Sequence, residues 1–140
     1  MPRLKYFALK AFINGDNDLI YLKWLLNGIN FVQNLKLLLK SDVLVEARCS
    51  IFQKLAFDAN FIRQYCLPDS IPNLIDFQFY ICFERQLSID QIEKITNSFQ
   101  THRFFVDRQW TNVKCLFDRI KSCQHLISSF NHNVQFNDLT

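Results

Sequence analysis

The sequence predicts an α/β fold in which short strands alternate with helices along a single domain. Three observations lead to this prediction. An apolar spacing typical of short strands recurs along the chain, a helical stripe of apolar residues follows each copy, and 49% of the residues are hydrophobic. A chain of 140 residues is also long enough to bury a core of its own. We expect mostly parallel strands on one side of the domain and helices on the other.

The recurring spacing is L-x-x-L-x-L-x-x-N/C-x-L. The residues that fit it are Leu19, Leu22, Trp24, Asn27 and Ile29 in the first copy and Leu74, Phe77, Phe79 and Cys82 in the second. This spacing is typical of a leucine-rich repeat, in which a short strand enters a tight turn closed by a buried Asn or Cys. It therefore predicts a short, irregular solenoid. In that solenoid Asn27 and Cys82 are structural positions that satisfy backbone groups inside the turns.

The first full unit covers residues 19–43, and a partial copy over residues 4–12 precedes it as a lone strand or a truncated unit. The apolar stripe that follows the first strand consists of Phe31, Leu35, Leu38 and Leu39. Its spacing predicts a helix. The pair Asn27-Gly28 is also typical of a hairpin turn, but the helical period after it favours a turn that leads into a helix.

Two further units cover residues 44–73 and 74–102. The middle unit is a weaker copy, with a strand that begins at Leu44 and a helix that ends before Pro68. In the third unit Ser88 and Gln91 form a capping box, which predicts the start of a helix there. The helical stripes are Phe57, Phe61 and Tyr65 in the middle unit and Ile89, Ile92, Ile95 and Phe99 in the third. We expect residues 1–140 to be one leucine-rich-repeat-like domain, either whole or as a fragment of a longer protein.

The end of the chain changes character after residue 102. Residues 103–106 and 110–117 are rich in β-prone side chains, and residues 107–109 form a plausible turn between them. We therefore predict a strand-rich end over residues 103–117 that closes the sheet. Residues 120–130 are a candidate helix, and an apolar pattern from Val134 to Leu139 resembles the opening of another strand.

Composition excludes several classes of partner. The net charge is only +3, and the 16 basic residues are dispersed, whereas a nucleic-acid interface requires clustering on one face. No apolar run is long enough for a membrane span or a signal peptide, so we expect no membrane partner. The five cysteines are irregularly spaced and odd in number, which favours a reducing, cytoplasmic or nuclear location.

Candidate catalytic and metal-binding residues are few. The acid pairs Glu84 with Asp90 and Asp16 with Asp18 lie in loops or beside helix caps, where acids are usually solvated. Gly15 and Gly28 are isolated, so a phosphate-binding loop is not expected. The nearest approach to a metal site or a thiol nucleophile consists of Cys115, Cys123 and His125. It lacks the paired ligand spacing typical of zinc, so we expect no catalytic site, no metal and no cofactor. The alternative function is a small intracellular α/β enzyme of unknown reaction.

Binding surfaces are the more promising functional feature. The side chains that alternate with the buried positions of the predicted strands would line a concave surface; they are Tyr21, Lys23, Asp76, Gln78 and Tyr80. Two aromatic residues near the end of the predicted repeats, Phe104 and Trp110, are further candidates for partner binding, because exposed aromatic side chains often anchor interfaces. Packing at the end of the core is the favoured interpretation of these last two residues. We expect a protein partner of unknown identity and no small-molecule substrate.

Three segments carry a family resemblance: residues 74–79, the helix after Ser88, and residues 98–110 with their run of aromatic side chains. In these segments the chain resembles the leucine-rich-repeat region of F-box/leucine-rich-repeat proteins. No Leu-Pro-led F-box motif is visible. The resemblance implies a substrate-recognition fragment of an SCF-type ubiquitin ligase, which would act within a longer protein.

Overall fold

The computed structural model describes residues 5–41, 57–84 and 86–130 of the chain. These residues form one five-stranded sheet and four helices. In chain order the elements are β1 (Tyr6–Phe12), α1 (Asp16–Gly28), β2 (Asn34–Ser41), α2 (Ala59–Tyr65), β3 (Asp76–Phe83), α3 (Ile89–Thr101), α4 (Arg103–Asp107), β4 (Val113–Asp118) and β5 (Cys123–Ser128). The predicted α/β class is confirmed.

The sheet is open and has the strand order β1-β2-β3-β5-β4. Strands β1, β2 and β3 pair in parallel, which requires the intervening chain to cross over between them. Strand β5 then pairs antiparallel with β3, and β4 pairs antiparallel with β5 at the outer edge. Strand β5, the last in sequence of the described strands, therefore lies inside the sheet, between two strands from earlier in the chain.

The described helices share one apolar core with one face of the sheet. Strand β2 contributes Leu35, Leu37 and Leu39 to this core, because alternate residues of a strand point to the same face. Strand β3 contributes the aromatic side chains Phe77, Phe79 and Phe83 together with Ile81, and the helices contribute Leu19, Leu22, Leu26, Phe61, Ile62, Ile95, Phe99 and Phe105. Most of these side chains are aromatic or branched, and they fill the space between sheet and helices.

Local signals explain where two of the helices begin. The capping box predicted for α3 is confirmed: Ser88 Oγ accepts a hydrogen bond from Gln91 N at 3.2 Å, and Ser88 N donates to Gln91 Oε1 at 2.9 Å. Helix α2 begins in the same way, because Asp58 Oδ1 accepts a hydrogen bond from Phe61 N at 3.0 Å. The predicted helix of the middle unit is thus present, and it ends at Tyr65, ahead of Pro68.

The first predicted unit is wrong, because its strand and its helix are exchanged. Residues 16–28 form helix α1, and the supposed helix after it is strand β2. The leucines at positions 19, 22 and 26 are spaced so that they lie on one face of a helix, and they are buried there. Their spacing therefore fits a helix as well as it fits the repeat pattern. Strand β2 buries Leu35, Leu37 and Leu39 on its core face and Leu38 on the other face, and the resulting apolar run at positions 37–39 cannot be distinguished from a buried helix segment by its period. The hairpin alternative at Asn27-Gly28 is also wrong, because both residues belong to α1.

The strand-rich end is partly confirmed. Strand β4 overlaps the predicted strand over residues 110–117, but residues 103–107 form helix α4 instead of a strand. His102 caps this helix, since its Nδ1 accepts a hydrogen bond from Phe104 N at 3.3 Å. The helix predicted over residues 120–130 is wrong as well, because residues 123–128 pair as β5 between β3 and β4.

Nothing in the described ranges shows a solenoid or a repeat architecture, and only the third predicted unit has the expected order of strand and helix there. The partial copy at the start of the chain is a lone strand, β1, which confirms one of its two interpretations. The strand predicted from Leu44 and the pattern from Val134 to Leu139 lie outside the described residues. Among the helices that the structure describes, none combines the length and apolarity needed to cross a membrane.

Candidate functional site

Helix α1 is apolar on two opposite faces. Its inner face buries Leu19, Leu22 and Leu26 at 0%, 3% and 0% exposure. Its outer face carries Ile20, Tyr21 and Trp24 at 59%, 63% and 68% exposure, and we call these three residues the α1 aromatic surface. Their spacing of three and four positions places them together on the helix, and the rings of Tyr21 and Trp24 lie 5.6 Å apart. A helix that is apolar all round is normally covered on both sides.

A polar network fixes α1 beside this surface. Lys23 Nζ donates a hydrogen bond to Leu67 O at 2.6 Å and forms an ion pair with Asp69 Oδ1 at 2.8 Å. Asn27 and Asp69 exchange two hydrogen bonds, from Asn27 Nδ2 to Asp69 Oδ2 at 3.1 Å and from Asp69 N to Asn27 Oδ1 at 2.8 Å. These contacts tie the helix to the segment after α2, so the aromatic surface stands on a rigid support.

Arg63 extends the network from α2 by donating hydrogen bonds to Pro68 O at 2.8 Å and Asp69 O at 2.9 Å. The hydrogen bond from Lys23 is the main reason why the pKa of Asp69 lies below its usual value. Two grooves flank the α1 aromatic surface. One, of about 420 Å³, lies between α1 and α2 and is lined by Ile20, Lys23, Arg63, Gln64, Tyr65 and Asp69. The other, of about 340 Å³, is lined by Trp24, Leu25, Asn27, Gly28 and Ile29 at the end of α1.

A second cluster of functional groups lies on the sheet face opposite the core. Cys82 of β3 is paired directly across from His125 of β5, and Cys123 lies two residues before His125 on the same strand face. Their Sγ and imidazole nitrogen atoms all lie within 4.8 Å of one another. Cys123 Sγ is 3.3 Å from His125 Nε2, and Asp118 Oδ2 approaches the same nitrogen at 3.8 Å.

The remaining ring nitrogen of His125 is held by a neighbour. His125 Nδ1 is hydrogen-bonded to the hydroxyl of Tyr80, which fixes the ring so that Nε2 lies beside the Cys123 thiol. Burial raises the pKa of Tyr80 to about 12 and lowers the pKa of His125, an effect that the nearby Asp118 carboxylate opposes. Burial and the adjacent thiol of Cys123 raise the pKa of Cys82 to about 12.

This cluster borders a cleft of about 230 Å³ at the carboxyl ends of the parallel strands. Its lining residues are Phe12, Lys40, Ser41, Cys82, Glu84, Lys121 and Cys123. Ligands of open α/β sheets bind outside the carboxyl ends of the strands, so the cleft has the usual position of a binding site in this class of fold. Ser41 is only 7% exposed, and its buried hydroxyl oxygen has no hydrogen-bond partner in the part of the chain that the structure describes.

The residues predicted as one concave surface lie in two separate places. Tyr21 and Lys23 belong to α1, where Tyr21 is exposed and Lys23 is held in the polar network. Asp76, Gln78 and Tyr80 alternate along β3 on the sheet face opposite the core. The structure therefore does not bring these five residues together, because α1 occupies the place of the first predicted strand.

The two aromatic candidates from the end of the chain are largely covered. Trp110 is 7% exposed and stacks on Phe130 with ring centroids 5.8 Å apart. Phe104 is half-buried, with the guanidinium groups of Arg63 and Arg108 over its ring at 4.6 and 4.0 Å. Trp110 packs at the end of the core, which is the favoured interpretation of this cluster from the sequence.

The structural roles predicted for Asn27 and Cys82 differ from those observed. Asn27 is exposed and bonds to Asp69, whereas the repeat pattern placed its amide inside a buried turn. Cys82 is half-buried in the thiol cluster and does not close a turn. Cys115 lies on the other face of the sheet and accepts a hydrogen bond from Gln124 Nε2 at 3.2 Å, so it is separated from Cys123 and His125. The burial of Cys115 raises its pKa to about 11.

Sequence reasoning missed the outer face of α1 and the grouping of Cys82 with Cys123 and His125. The spacing of Ile20, Tyr21 and Trp24 was visible, but the repeat pattern assigned Trp24 to the interior of a strand. The grouping of the two thiols depends on which strands are neighbours, and no local spacing contains that information. Comparison with protein-family models found no match, and searches of curated proteins and of solved structures found no similar chain.

Proposed function

We propose that the protein is a recognition module that binds a partner protein through the α1 aromatic surface. The observation that carries the proposal is the pair of outer rings, Tyr21 and Trp24, at 63% and 68% exposure on a helix whose other face is already buried. Exposed apolar patches of this kind mark interaction sites more often than isolated exposed side chains do. Tyr and Trp are also the residues most enriched among those that dominate binding energy.

The surroundings of the two rings support the same proposal. Protein interfaces combine an apolar centre with a polar rim, and Arg is enriched in them. Lys23, Arg63 and Asp69 provide such a rim along the groove between α1 and α2. Because their hydrogen bonds already fix this region, little conformational entropy would be lost on binding. The grooves on either side can accept side chains of the partner, and the recognition surface is a helix face that needs no repeat solenoid.

The test replaces Trp24 and compares the result with an equally exposed apolar residue elsewhere. Ile120 lies in the turn between β4 and β5 and is 96% exposed, so Ile120→Ser is a matched control. Neither Trp24→Ser nor Ile120→Ser should change the free energy of unfolding by more than about 0.5 kcal/mol, since both side chains are exposed. Proteins captured from cell extract by the wild type should be retained by Ile120→Ser and lost by Trp24→Ser.

A purified partner from that experiment allows a direct measurement. Truncation of a central aromatic side chain should cost about 2 kcal/mol of binding free energy or more. The fluorescence of Trp24 should shift to shorter wavelength on binding, because an exposed indole becomes buried, while Trp110 is already covered. If Trp24→Ser captures the same proteins with the same affinity as the wild type, the α1 aromatic surface is not the interface.

We further propose a specific role for this module: it selects substrates for an SCF-type ubiquitin ligase in a reducing, cytoplasmic or nuclear compartment. Its support is the family resemblance of the sequence, together with the free thiols of Cys66, Cys82, Cys115 and Cys123. A pull-down with the adaptor subunit of the ligase tests it on the chain embedded in its natural coding sequence. If neither the wild type nor the Trp24→Ser and Ile120→Ser variants enrich the adaptor over a control without the chain, the ligase proposal is removed and the recognition module is left intact.

A further inference from the structure

The cluster on the sheet face opposite the core contains the ligand types that zinc prefers. Two cysteine sulfurs and one imidazole nitrogen lie within 4.8 Å of one another, although their residues come from two strands. Zinc sites with three protein ligands use sets such as two Cys and one His, and they keep a fourth position for water or another ligand. Thiolate ligands also disfavour magnesium and calcium, which prefer oxygen.

The geometry requires little rearrangement. With Zn–S bonds of about 2.3 Å and Zn–N bonds of about 2.0–2.1 Å, ligand atoms of a tetrahedral site lie roughly 3.5–3.8 Å apart. Cys123 Sγ and His125 Nε2 are already 3.3 Å apart. No two of the three ligand atoms are more than 4.8 Å apart. Small side-chain rotations that move each ligand atom by less than a bond length would therefore bring them to these distances around an ion.

The neighbours of the cluster orient its groups in the way that metal sites require. Ligating histidines usually have their second ring nitrogen held by a hydrogen bond, which sets the ring orientation. His125 Nδ1 is held by the Tyr80 hydroxyl, and its Nε2 faces the thiol of Cys123. The Asp118 carboxylate, 3.8 Å from Nε2, adds negative charge beside the position of the cation.

The adjoining cleft gives the cluster room for a further ligand. Cys82 and Cys123 line it directly, together with Lys40, Glu84 and Lys121. The cleft thus supplies space beside the two thiols at the edge of the sheet where ligands of this fold class bind.

We propose that the chain binds one zinc ion through Sγ of Cys82, Sγ of Cys123 and Nε2 of His125, with the fourth coordination position directed to this cleft. Both thiols lose their protons to solvent when the metal binds, and no oxidation or reduction takes place. The site lies on the opposite side of the sheet from the four described helices, so it is separate from the α1 aromatic surface. The rival interpretation is that the two cysteines pack as small apolar side chains and bind nothing.

The test titrates the reduced full chain with Co²⁺ and then with Zn²⁺ in the absence of oxygen. One equivalent of Co²⁺ should produce visible absorption bands typical of tetrahedral coordination and near-ultraviolet bands from two thiolates, and Zn²⁺ should remove both. Cys82→Ser and Cys123→Ser should each lower the thiolate band by about half. Loss of a direct ligand should also weaken zinc binding by more than the roughly 10- to 100-fold typical of groups that only orient a ligand.

Cys115→Ser is the matched control, because Cys115 lies on the neighbouring strand but on the other sheet face. It should leave both the spectrum and the zinc affinity unchanged. A second measurement avoids substitutions that could disturb folding: zinc should slow alkylation of Cys82 in the wild-type chain and leave alkylation of Cys115 unaffected. The proposal is overturned if the wild type gives no thiolate band, if Cys115→Ser weakens binding as much as Cys82→Ser, or if zinc does not protect Cys82.

Discussion

The two faces of the sheet bury their side chains by different means. On the face that packs against the helices, Phe79 stacks on Phe99 at 5.8 Å and Phe99 packs edge-on against Phe105 at 5.0 Å. On the opposite face, Leu38, Tyr80 and Cys123 are 1%, 7% and 4% exposed and yet do not belong to that core cluster. There polar side chains take part in the packing, as in the contact between Tyr80 and His125.

The helix-covered face therefore supplies most of the stability, whereas the opposite face carries the reactive side chains. Apolar burial is roughly proportional to area and tolerates changes of sequence that preserve volume. A partly buried polar cluster contributes less to stability, and its groups keep reactive atoms such as Sγ and Nε2 within reach of a cleft. We therefore expect substitutions on the helix-covered face to change stability most, and substitutions on the opposite face to change it less.

The largest expected effect is that of Phe79→Ala. Phe79 is fully buried between the sheet and α3, and truncation of a buried Phe typically costs about 3–5 kcal/mol of stability because a cavity remains. Urea unfolding followed by circular dichroism measures the loss. Phe12→Ala is the control, since Phe12 is 61% exposed at the end of β1 and should change stability by about 0.5 kcal/mol or less. Equal losses for the two variants would contradict the location of the core.

A smaller effect is expected on the opposite face from Tyr80→Phe. This change keeps the ring and removes the hydroxyl that binds His125 Nδ1, so it should cost about 0.5–1.5 kcal/mol. Tyr6→Phe is the control, because Tyr6 is 53% exposed at the start of the edge strand β1. The same urea unfolding experiment compares the two. A loss as large as that of Phe79→Ala would mean that the two faces do not differ as described.

The smallest effect concerns Asp69, on the outer side of the helix layer. Its pKa lies below the ordinary value of 3.8, mainly because Lys23 donates a hydrogen bond to the carboxylate. A depressed pKa in the folded state means that Asp69 stabilises the fold above its ordinary pKa, and that this contribution is lost as the pH falls through the folded value. The difference in stability between the wild type and Asp69→Asn should therefore shrink on acidification.

Melting temperatures of the two proteins across the acidic range measure this difference. Asp107→Asn is the control, since Asp107 is exposed and lies 3.8 Å from a single partner, Arg103. Because the Asp69 side chain is 75% exposed, solvent screens its ion pair and the effect should be small. A difference that stays constant with pH would show that the Lys23–Asp69 contact does not stabilise the folded chain.

The sequence predicts the local features of the fold well where one signal dominates. Ser88 and Gln91 fix the start of α3, and the alternating aromatics of β3 define a strand with one buried face. The sequence fails at α1 because the spacing of Leu19, Leu22 and Leu26 fits both a helix face and the repeat pattern. It fails at β2 because the consecutive leucines at positions 37–39 interrupt the alternation that marks a strand. It fails at β5 for a different reason, since short apolar stretches acquire their structure from the neighbours with which they pair.

The candidate sites show the same division. The rings of Tyr21 and Trp24 lie on one exposed face only if residues 16–28 are helical. The predicted strand instead placed Trp24 in the interior of the domain. The thiol cluster could not have been found from spacing, as Cys82 and Cys123 lie far apart in sequence and meet only because β5 inserts beside β3. Long-range strand order is the information that local patterns lack.

The insertion of β5 between β3 and β4 also has a consequence for how the chain is made. During synthesis the parallel strands emerge first, and the free edge of β3 has no partner until residues 123–128 have left the ribosome. An unpaired apolar edge is a template for other strands, including those of neighbouring nascent chains. Pairing with β5 covers this edge of β3 in the folded chain, and slow translation ahead of residues 123–128 would prolong the interval in which the edge is exposed.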